Sequence, residues 1–163
     1  MLRFRHVRKA FPGVLALDDV SFDVAAGRVH AIAGENGAGK STLMKILSGA
    51  HRPDAGAVEL DGRPVRIDNA RVGQRLGIAI VYQELSIARD LSVAENVFLG
   101  RWPKSWGMVR FGALRDRARE LLGSLGVALP LDRPAGELTV AQQQIIEIAR
   151  ALSLDARVLV LDE

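Results

Sequence analysis

The sequence predicts an α/β fold: a mostly parallel sheet with helices, an antiparallel β flank and an inserted helical segment. Short apolar runs at residues 28–33, 78–82 and 158–161 have the length and composition of buried strands. Alternating residues at 2–8 and 20–24 predict two half-exposed strands, which would form the antiparallel flank. With 163 residues, the chain is long enough for one domain with a sizeable core.

The composition is that of a globular protein and excludes several classes. Apolar residues make up 48% and charged residues 25% of the chain, and the absence of cysteine excludes a disulfide framework. The net charge of +3 is small and spread out, so it does not indicate nucleic acid. No apolar run approaches the length of a membrane span, and the N-terminus lacks the apolar core of a signal peptide. Any membrane role is therefore expected through a partner.

A glycine-rich stretch fits the phosphate-binding pattern G-x-x-x-x-G-K-[ST]. It reads Gly34-Glu35-Asn36-Gly37-Ala38-Gly39-Lys40-Ser41-Thr42. Its glycines allow the backbone to turn N–H groups inward around an anion. Lys40 would reach the β- and γ-phosphates of a nucleotide, and the Ser41 hydroxyl would bind Mg²⁺. The motif requires a strand before it, at 28–33, and a helix after it, at 42–47.

Turn signals divide the remaining N-terminal half. Phe11-Pro12-Gly13 predicts a turn, Asp61-Gly62 predicts a hairpin turn, and Gly49 is a plausible helix cap. In the first strand, Leu2, Phe4 and His6 are expected on one face.

The pattern becomes helical between residues 92 and 129, where Ser92 to Glu95 matches a capping box. Leu114, Ala118 and Leu122 recur at helical spacing. Trp102 and Trp106 are interpreted as packing or loop anchors. A later helix would place four residues on one face: Ile145, Ile148, Ala149 and Leu152.

Polar groups follow two of the predicted buried strands. Gln83 follows the strand at 78–82, and Asp162-Glu163 follows the strand at 158–161. A phosphoryl-transfer site needs such groups beside its loop, one carboxylate for Mg²⁺ and another group to orient water.

Together these pieces resemble an ATP-binding cassette ATPase, a member of the P-loop NTPases, over the whole given chain. In family order they are Phe11, the phosphate loop, Gln83, residues 138–144 and Asp162-Glu163. The resemblance implies that ATP and Mg²⁺ bind here and that Phe11 stacks on adenine, although a core role beside Pro12 is the alternative. It also implies that Gln83 touches Mg²⁺ and the attacking water, that Asp162 lies near Mg²⁺, and that Glu163 polarises that water.

The signature region departs from the family's common Leu-Ser-Gly-Gly-Gln. Here it reads Leu138-Thr139-Val140-Ala141-Gln142. In the family this segment meets the γ-phosphate bound by the opposing cassette. Thr139 and Gln142 also fit a capping box, so a purely structural role is the alternative.

The variant signature is similar to that of bacterial monosaccharide importers of the ribose, xylose and galactose type, as are residues 95–100. The resemblance implies transmembrane permease subunits, a second cassette in the same or an opposing chain, and indirectly a periplasmic sugar-binding protein, but no nucleic acid. It places the protein peripherally on the cytoplasmic face of the inner membrane. The alternatives are a soluble cassette acting on ribosomes or nucleic acid, and a nucleotide-binding cassette without turnover.

The resemblance further implies one cassette domain over 1–163, C-terminally incomplete after Asp162-Glu163, with residues 92–129 as its helical subdomain. In the family a further strand lies between the strands at 28–33 and 158–161. Without that strand, two strands would keep unpaired backbone groups, each costing about 1–3 kcal/mol if buried. Residues 1–163 alone are therefore expected to fold marginally, to bind ATP poorly and not to hydrolyse it.

Overall fold

A computed structural model describes residues 1–82 and 84–162. These residues form two compact units, one of residues 1–79 with Asp162 and one of residues 80–161. The first unit contains β1 (Leu2–Phe11), β2 (Val14–Val24), α1 (Lys40–Leu47), β3 (Ala55–Leu60), β4 (Arg63–Val65) and α2 (Ala70–Arg75). Strand β5 (Ile78–Val81) begins in the first unit and ends in the second. The second contains α3 (Val93–Val97), β6 (Lys104–Ser105), β7 (Met108–Val109), α4 (Phe111–Ser124), a 3₁₀ turn (Ala135–Glu137), α5 (Val140–Leu152) and β8 (Val158–Leu161).

The first unit contains the predicted antiparallel flank, which is larger than expected. Strands β2, β1, β3 and β4 pair in that order, and every pair is antiparallel. The predicted hairpin turn at Asp61-Gly62 is confirmed, since both residues have positive φ, 51° and 77°. A two-residue turn of this kind matches the twist of the strands that it joins.

The prediction that His6 shares the face of Leu2 and Phe4 in β1 is wrong. Leu2, Phe4 and Val7 are buried there, and His6 is exposed. The pairing register shifts between Phe4 and Val7, and His6 has a φ of 49°. This irregularity moves the next apolar side chain, Val7, onto the buried face, which strict alternation along the sequence would not show.

The prediction of a buried strand at residues 28–33 is also wrong. This segment has no strand assignment, and Val29 is fully exposed. None of the described strands pairs with it. An apolar run becomes a buried strand only where a neighbouring strand pairs with its backbone groups, and periodicity does not reveal that neighbour.

The helix after the glycine-rich loop is confirmed and begins at Lys40 rather than at Thr42. Leu43, Met44, Ile46 and Leu47 are its buried residues. The helix ends at Leu47, and the predicted cap Gly49 follows two residues later, with a φ of 74° and its N–H donating to the Ile46 carbonyl at 3.1 Å.

The second unit has a core between three of its helices. Val93 and Val97 of α3, Leu122 of α4, and Ile146 and Ala149 of α5 form one buried cluster. The capping box at Ser92 is present, and α4 buries Leu114, Ala118 and Leu122 as predicted.

The predicted loop around the two tryptophans contains a small hairpin, β6 with β7. Trp102 is an anchor as expected, since its Nε1–H donates to the Glu95 carbonyl at 3.0 Å. Trp106 does not act as an anchor, because it lies in the turn of the hairpin and is 97% exposed.

Two further expectations in this unit need correction. Helix α5 buries Gln143, Ile146, Glu147, Ala149 and Ala151, so of the four predicted residues only Ala149 is fully buried. Polar residues occupy part of its buried face, which a search for apolar spacing misses. Strand β8 pairs with β5, but its alternate residues are exposed, with Leu161 at 64%.

No helix within residues 1–82 and 84–162 is both long enough and apolar enough to cross a bilayer.

Substituting Gly49 tests the close approach at the end of α1. A Cβ on Gly49 would lie 2.6–2.7 Å from backbone atoms of Asn69, at a φ of 74°. We expect Gly49→Ala to lower the free energy of unfolding by about 2–4 kcal/mol, from strain plus overpacking. Gly62→Ala is the matched control, because Gly62 has a φ of 77° with open space around it. Equal losses of stability in urea unfolding of the two variants would contradict the close-approach argument.

Candidate functional site

Two glycines in the left-handed backbone conformation determine the path of the phosphate loop. Gly37 and Gly39 have φ values of 88° and 86°, where residues with a Cβ are strained. Between them, the Ala38 N–H donates to the Glu35 carbonyl at 3.1 Å and closes a turn. Two of the three glycines of the motif, Gly37 and Gly39, are therefore required by backbone conformation.

Gly39 also brings the loop against strand β2. A Cβ at this position would collide with the Ala16 carbonyl oxygen and would lie 2.9 Å from Leu17 Cδ2. Leu17 is itself buried. The antiparallel flank thus supports the loop exactly where the loop becomes helix α1.

The start of α1 is free to bind an anion. Its N-cap is Gly39, which supplies no side-chain cap, and its first turn contains no acidic residue. The first N–H groups of such a helix lack intrahelical partners and carry the positive end of the helix dipole. Lys40 adds a full charge at this end, and its ammonium group donates to the carbonyls of Gly34 and Glu35 at 2.5 and 3.0 Å.

An aromatic stack anchors the segment that leads into the loop. His30 stacks on Phe22 at 5.2 Å between ring centroids, and Phe22 stacks on Phe4 at 4.6 Å. Phe4 is 1% exposed and belongs to the core of the first unit. This contact was not predicted, because His30 lies in a segment that was expected to be a buried strand.

Phe11 is partly buried at the end of β1, between a histidine and a lysine. Its ring meets His51 edge-on at 5.2 Å between centroids, and Lys9 Nζ lies 5.5 Å from its centroid. Asp54 fixes this strand end by accepting from the Ala10 N–H and from Lys9 Nζ, both at 2.7 Å. The hydrogen bond from Ala10, followed by that from Lys9, lowers the pKa of Asp54.

The residues of the first unit fit a nucleotide triphosphate with a divalent cation. The loop offers turned backbone and one ammonium group, and the Ser41 side chain is exposed at the first turn of α1. Asp162, the expected metal ligand after β8, groups with this same unit and is partly buried. A hydroxyl and a carboxylate are hard oxygen ligands of the type that Mg²⁺ prefers.

The signature residues begin helix α5 in the second unit. The Thr139 hydroxyl accepts from the Gln142 N–H at 3.3 Å, and the Gln142 side chain accepts from the Thr139 N–H at 3.0 Å. The capping box proposed as the structural alternative is therefore present. Leu138 is buried, whereas Val140 and Ala141 are exposed. Gln143 secures this helix start by donating to the carbonyls of Ala135 and Leu138, both at 3.0 Å.

Two expected site residues, Gln83 and Glu163, lie outside the described residues. Sequence reasoning also missed a buried polar group on α5, centred on Glu147. The available signal was a single carboxylate inside the apolar run Ile145-Ile146-Glu147-Ile148. A charged residue in such a run is rarely buried without a specific partner.

Comparison with known proteins agrees with these features. Residues 17–163 match the family model described as ABC transporter. The chain is 52% identical over all its 163 residues to the ribose import ATP-binding protein RbsA 1 of Rubrobacter xylanophilus, and covers 33% of that protein. It is also 52% identical over 162 residues, 99% of its length, to the arabinose import ATP-binding protein AraG 1 of Burkholderia cenocepacia, of which it covers 32%. The chain thus spans about a third of the length of these curated relatives.

Solved structures show the same fold. The ADP conformation of MJ1267, an ATP-binding cassette of an ABC transporter, matches with a TM-score of 0.85 at 31% identity, covering 99% of this chain and 68% of that one. The protein cbiO1 of Clostridium perfringens, part of the ABC transporter complex cbiONQ, matches with a TM-score of 0.82 at 27% identity, covering 99% and 64%.

The predicted α/β cassette fold and the resemblance carried by the motifs are both confirmed by these matches. With its phosphate loop, its variant signature and a family match over residues 17–163, the chain belongs to the ABC transporter family.

Proposed function

We propose that this chain is part of an ATP-hydrolysing subunit that energises import of a monosaccharide. The observation that carries the proposal is the phosphate loop, in which left-handed glycines, a free helix start and Lys40 meet within one compact unit. The named relatives import ribose and arabinose, which supports a sugar of that class as the transported substrate.

In this proposal the loop and the residues expected around it have separate tasks. The loop backbone and Lys40 hold the β- and γ-phosphates, and Phe11 provides an aromatic face for the adenine. Ser41, Asp162 and Gln83 hold Mg²⁺, which neutralises charge on the phosphates when it is bound. Glu163 polarises the attacking water, so that its carboxylate serves as the general base.

The signature residues Leu138 to Gln142 act on nucleotide held by a second cassette. Helix α5 presents its first N–H groups there, and the capping box leaves those of Val140 and Ala141 unused. Structural capping and phosphate contact are thus compatible roles for this segment.

The partners follow from the same function. A subunit that powers uptake must meet transmembrane permease subunits, and the sugar-binding protein acts on the other side of the membrane. This places the protein peripherally on the cytoplasmic face of the inner membrane. The import names of the relatives disfavour a role on ribosomes or nucleic acid.

Removing the ammonium group tests the phosphate loop. We expect Lys40→Ala in the full-length protein to abolish ATP-dependent uptake and to slow hydrolysis by about a hundredfold or more, the scale of losing one preorganised group. Lys45→Ala is the matched control, since Lys45 is exposed on the same helix. Normal nucleotide affinity and uptake in Lys40→Ala would refute the assignment of the loop.

Removing the general base separates binding from turnover. Glu163→Gln keeps the shape of the side chain but cannot accept a proton, so we expect nucleotide binding to persist while hydrolysis falls about 10²–10⁴-fold. Glu120→Gln makes the same chemical change on the exposed side of α4 and should have no effect. Unchanged turnover in Glu163→Gln would show that another group is the base, or that this cassette binds ATP without hydrolysing it.

Crosslinking tests the membrane partner. Glu84 is exposed and Leu85 partly exposed directly after Gln83, between β5 and the helical subdomain. Photoreactive residues at these two positions should capture the permease subunits in membranes, whereas one at exposed Arg63 in β4 should not. Capture of soluble proteins alone at Glu84 and Leu85 would remove the importer assignment.

A further inference from the structure

A polar cluster with a buried centre joins the segment after Gln83 to the helix that begins with the signature. We call the residues Ser86, Asn96, Glu147 and Arg150 the Ser86 cluster. Asn96 belongs to α3, Glu147 and Arg150 belong to α5, and Ser86 lies in the irregular segment between β5 and α3. Asn96 is 0% and Glu147 7% exposed, whereas Arg150 is partly buried and Ser86 is exposed, so the cluster reaches from the interior of the second unit to its surface.

Side chains of α5 satisfy both backbone groups of Ser86. Its N–H and its hydroxyl each donate to Glu147 Oε1 at 2.7 Å. Its carbonyl accepts from Arg150 Nη1 at 2.9 Å, and its hydroxyl oxygen accepts from the same nitrogen at 3.3 Å. A backbone segment held this way cannot shift without breaking charge-assisted hydrogen bonds to the helix, or moving the helix with it.

Asn96 extends the connection to Ala88 and to α3. Its side chain accepts from the Ala88 N–H and donates to the Ala88 carbonyl, both at 2.9 Å. Arg150 bonds to Asn96 twice, from Nε to its carbonyl at 2.8 Å and from Nη2 to Oδ1 at 3.2 Å. Residues 86–88 therefore depend for their position on two helices of the unit.

The carboxylate of Glu147 is not explained by stability alone. Its Oε2 is buried and finds no hydrogen-bond partner among the described residues. Burial lowers the pKa of Arg150, and the charge of Glu147 opposes that shift. A buried carboxylate with an unpartnered oxygen lowers stability, so its presence points to a demand for specific geometry.

We propose that Glu147 and Arg150 are positioning residues that transmit displacement of residues 84–88 along α5 to the signature. Glu147 lies eight residues after Thr139, which at the rise of an α-helix is about 12 Å. The inference rests on the proposed function, in which the permease docks at Glu84 and Leu85. Permease engagement then changes the position of Thr139 through the Ser86 cluster, and with it the rate of hydrolysis.

The test compares ATP hydrolysis by the full-length protein with and without its permease in proteoliposomes. We expect Ser86→Ala and Glu147→Gln to leave basal turnover within about twofold and to reduce stimulation by the permease at least about fivefold, the scale of a typical coupling. The double variant should be no worse than the worse single variant, because both remove the same link. Ser86→Thr keeps the hydroxyl and should therefore keep the stimulation by the permease. Glu120→Gln is the matched control for the loss of a carboxylate.

Amide hydrogen exchange provides a readout that does not depend on hydrolysis. Ser86→Ala and Glu147→Gln should each raise exchange at residues 139–143, and the double variant should raise it no further. Unchanged permease stimulation and unchanged exchange would overturn the proposal. The proposal would also be overturned if the basal and stimulated rates fell together in proportion to a lowered Tm, since that result indicates a structural role only. Absence of hydrolysis in the wild-type protein would instead refute the proposed function, while the exchange measurement still tests the link.

Discussion

The conformation of the phosphate loop depends on one constraint, the positive φ of Gly37 and Gly39. These angles turn the backbone around the position of an anion and bring Gly39 against the Ala16 carbonyl of β2. The antiparallel flank is therefore more than a cover for the core, because it supports the loop from behind. Asp54 holds Ala10 and Lys9 next to Phe11, and Phe22 stacks on His30, so the elements that would hold nucleotide share one scaffold.

The second unit combines an aliphatic core between helices with a segment that polar side chains hold in place. Its helices α3, α4 and α5 pack through aliphatic side chains, but the irregular segment 84–91 is held by polar ones. Asn96 alone donates to three carbonyls, those of Ala88, Leu91 and Ser92. Together with Ile87, which packs against the aliphatic cluster, these hydrogen bonds give the segment a defined position.

Helix α5 combines two demands that conflict in most helices. In the proposed function its start contacts an anion, while its centre holds the segment that follows Gln83. The capping box resolves the first demand, since it uses the N–H of Gln142 and leaves earlier ones available. Glu147 and Arg150, one turn apart, resolve the second by facing Ser86 together, at the cost of placing charge in an apolar run.

Local chemistry was readable from the sequence, because glycines, caps and turns act within a few residues of one another. The phosphate loop, the capping boxes at Ser92 and Thr139, the Asp61-Gly62 turn and the Gly49 cap after α1 were all predicted this way. Tertiary structure decided what depends on distant neighbours. It left residues 28–33 unpaired by any described strand, turned Val7 rather than His6 inward, and placed Ser86 against Glu147, 61 positions away. Periodicity reports which face of an element is apolar, whereas only packing determines whether a partner covers that face and which polar groups meet beneath it.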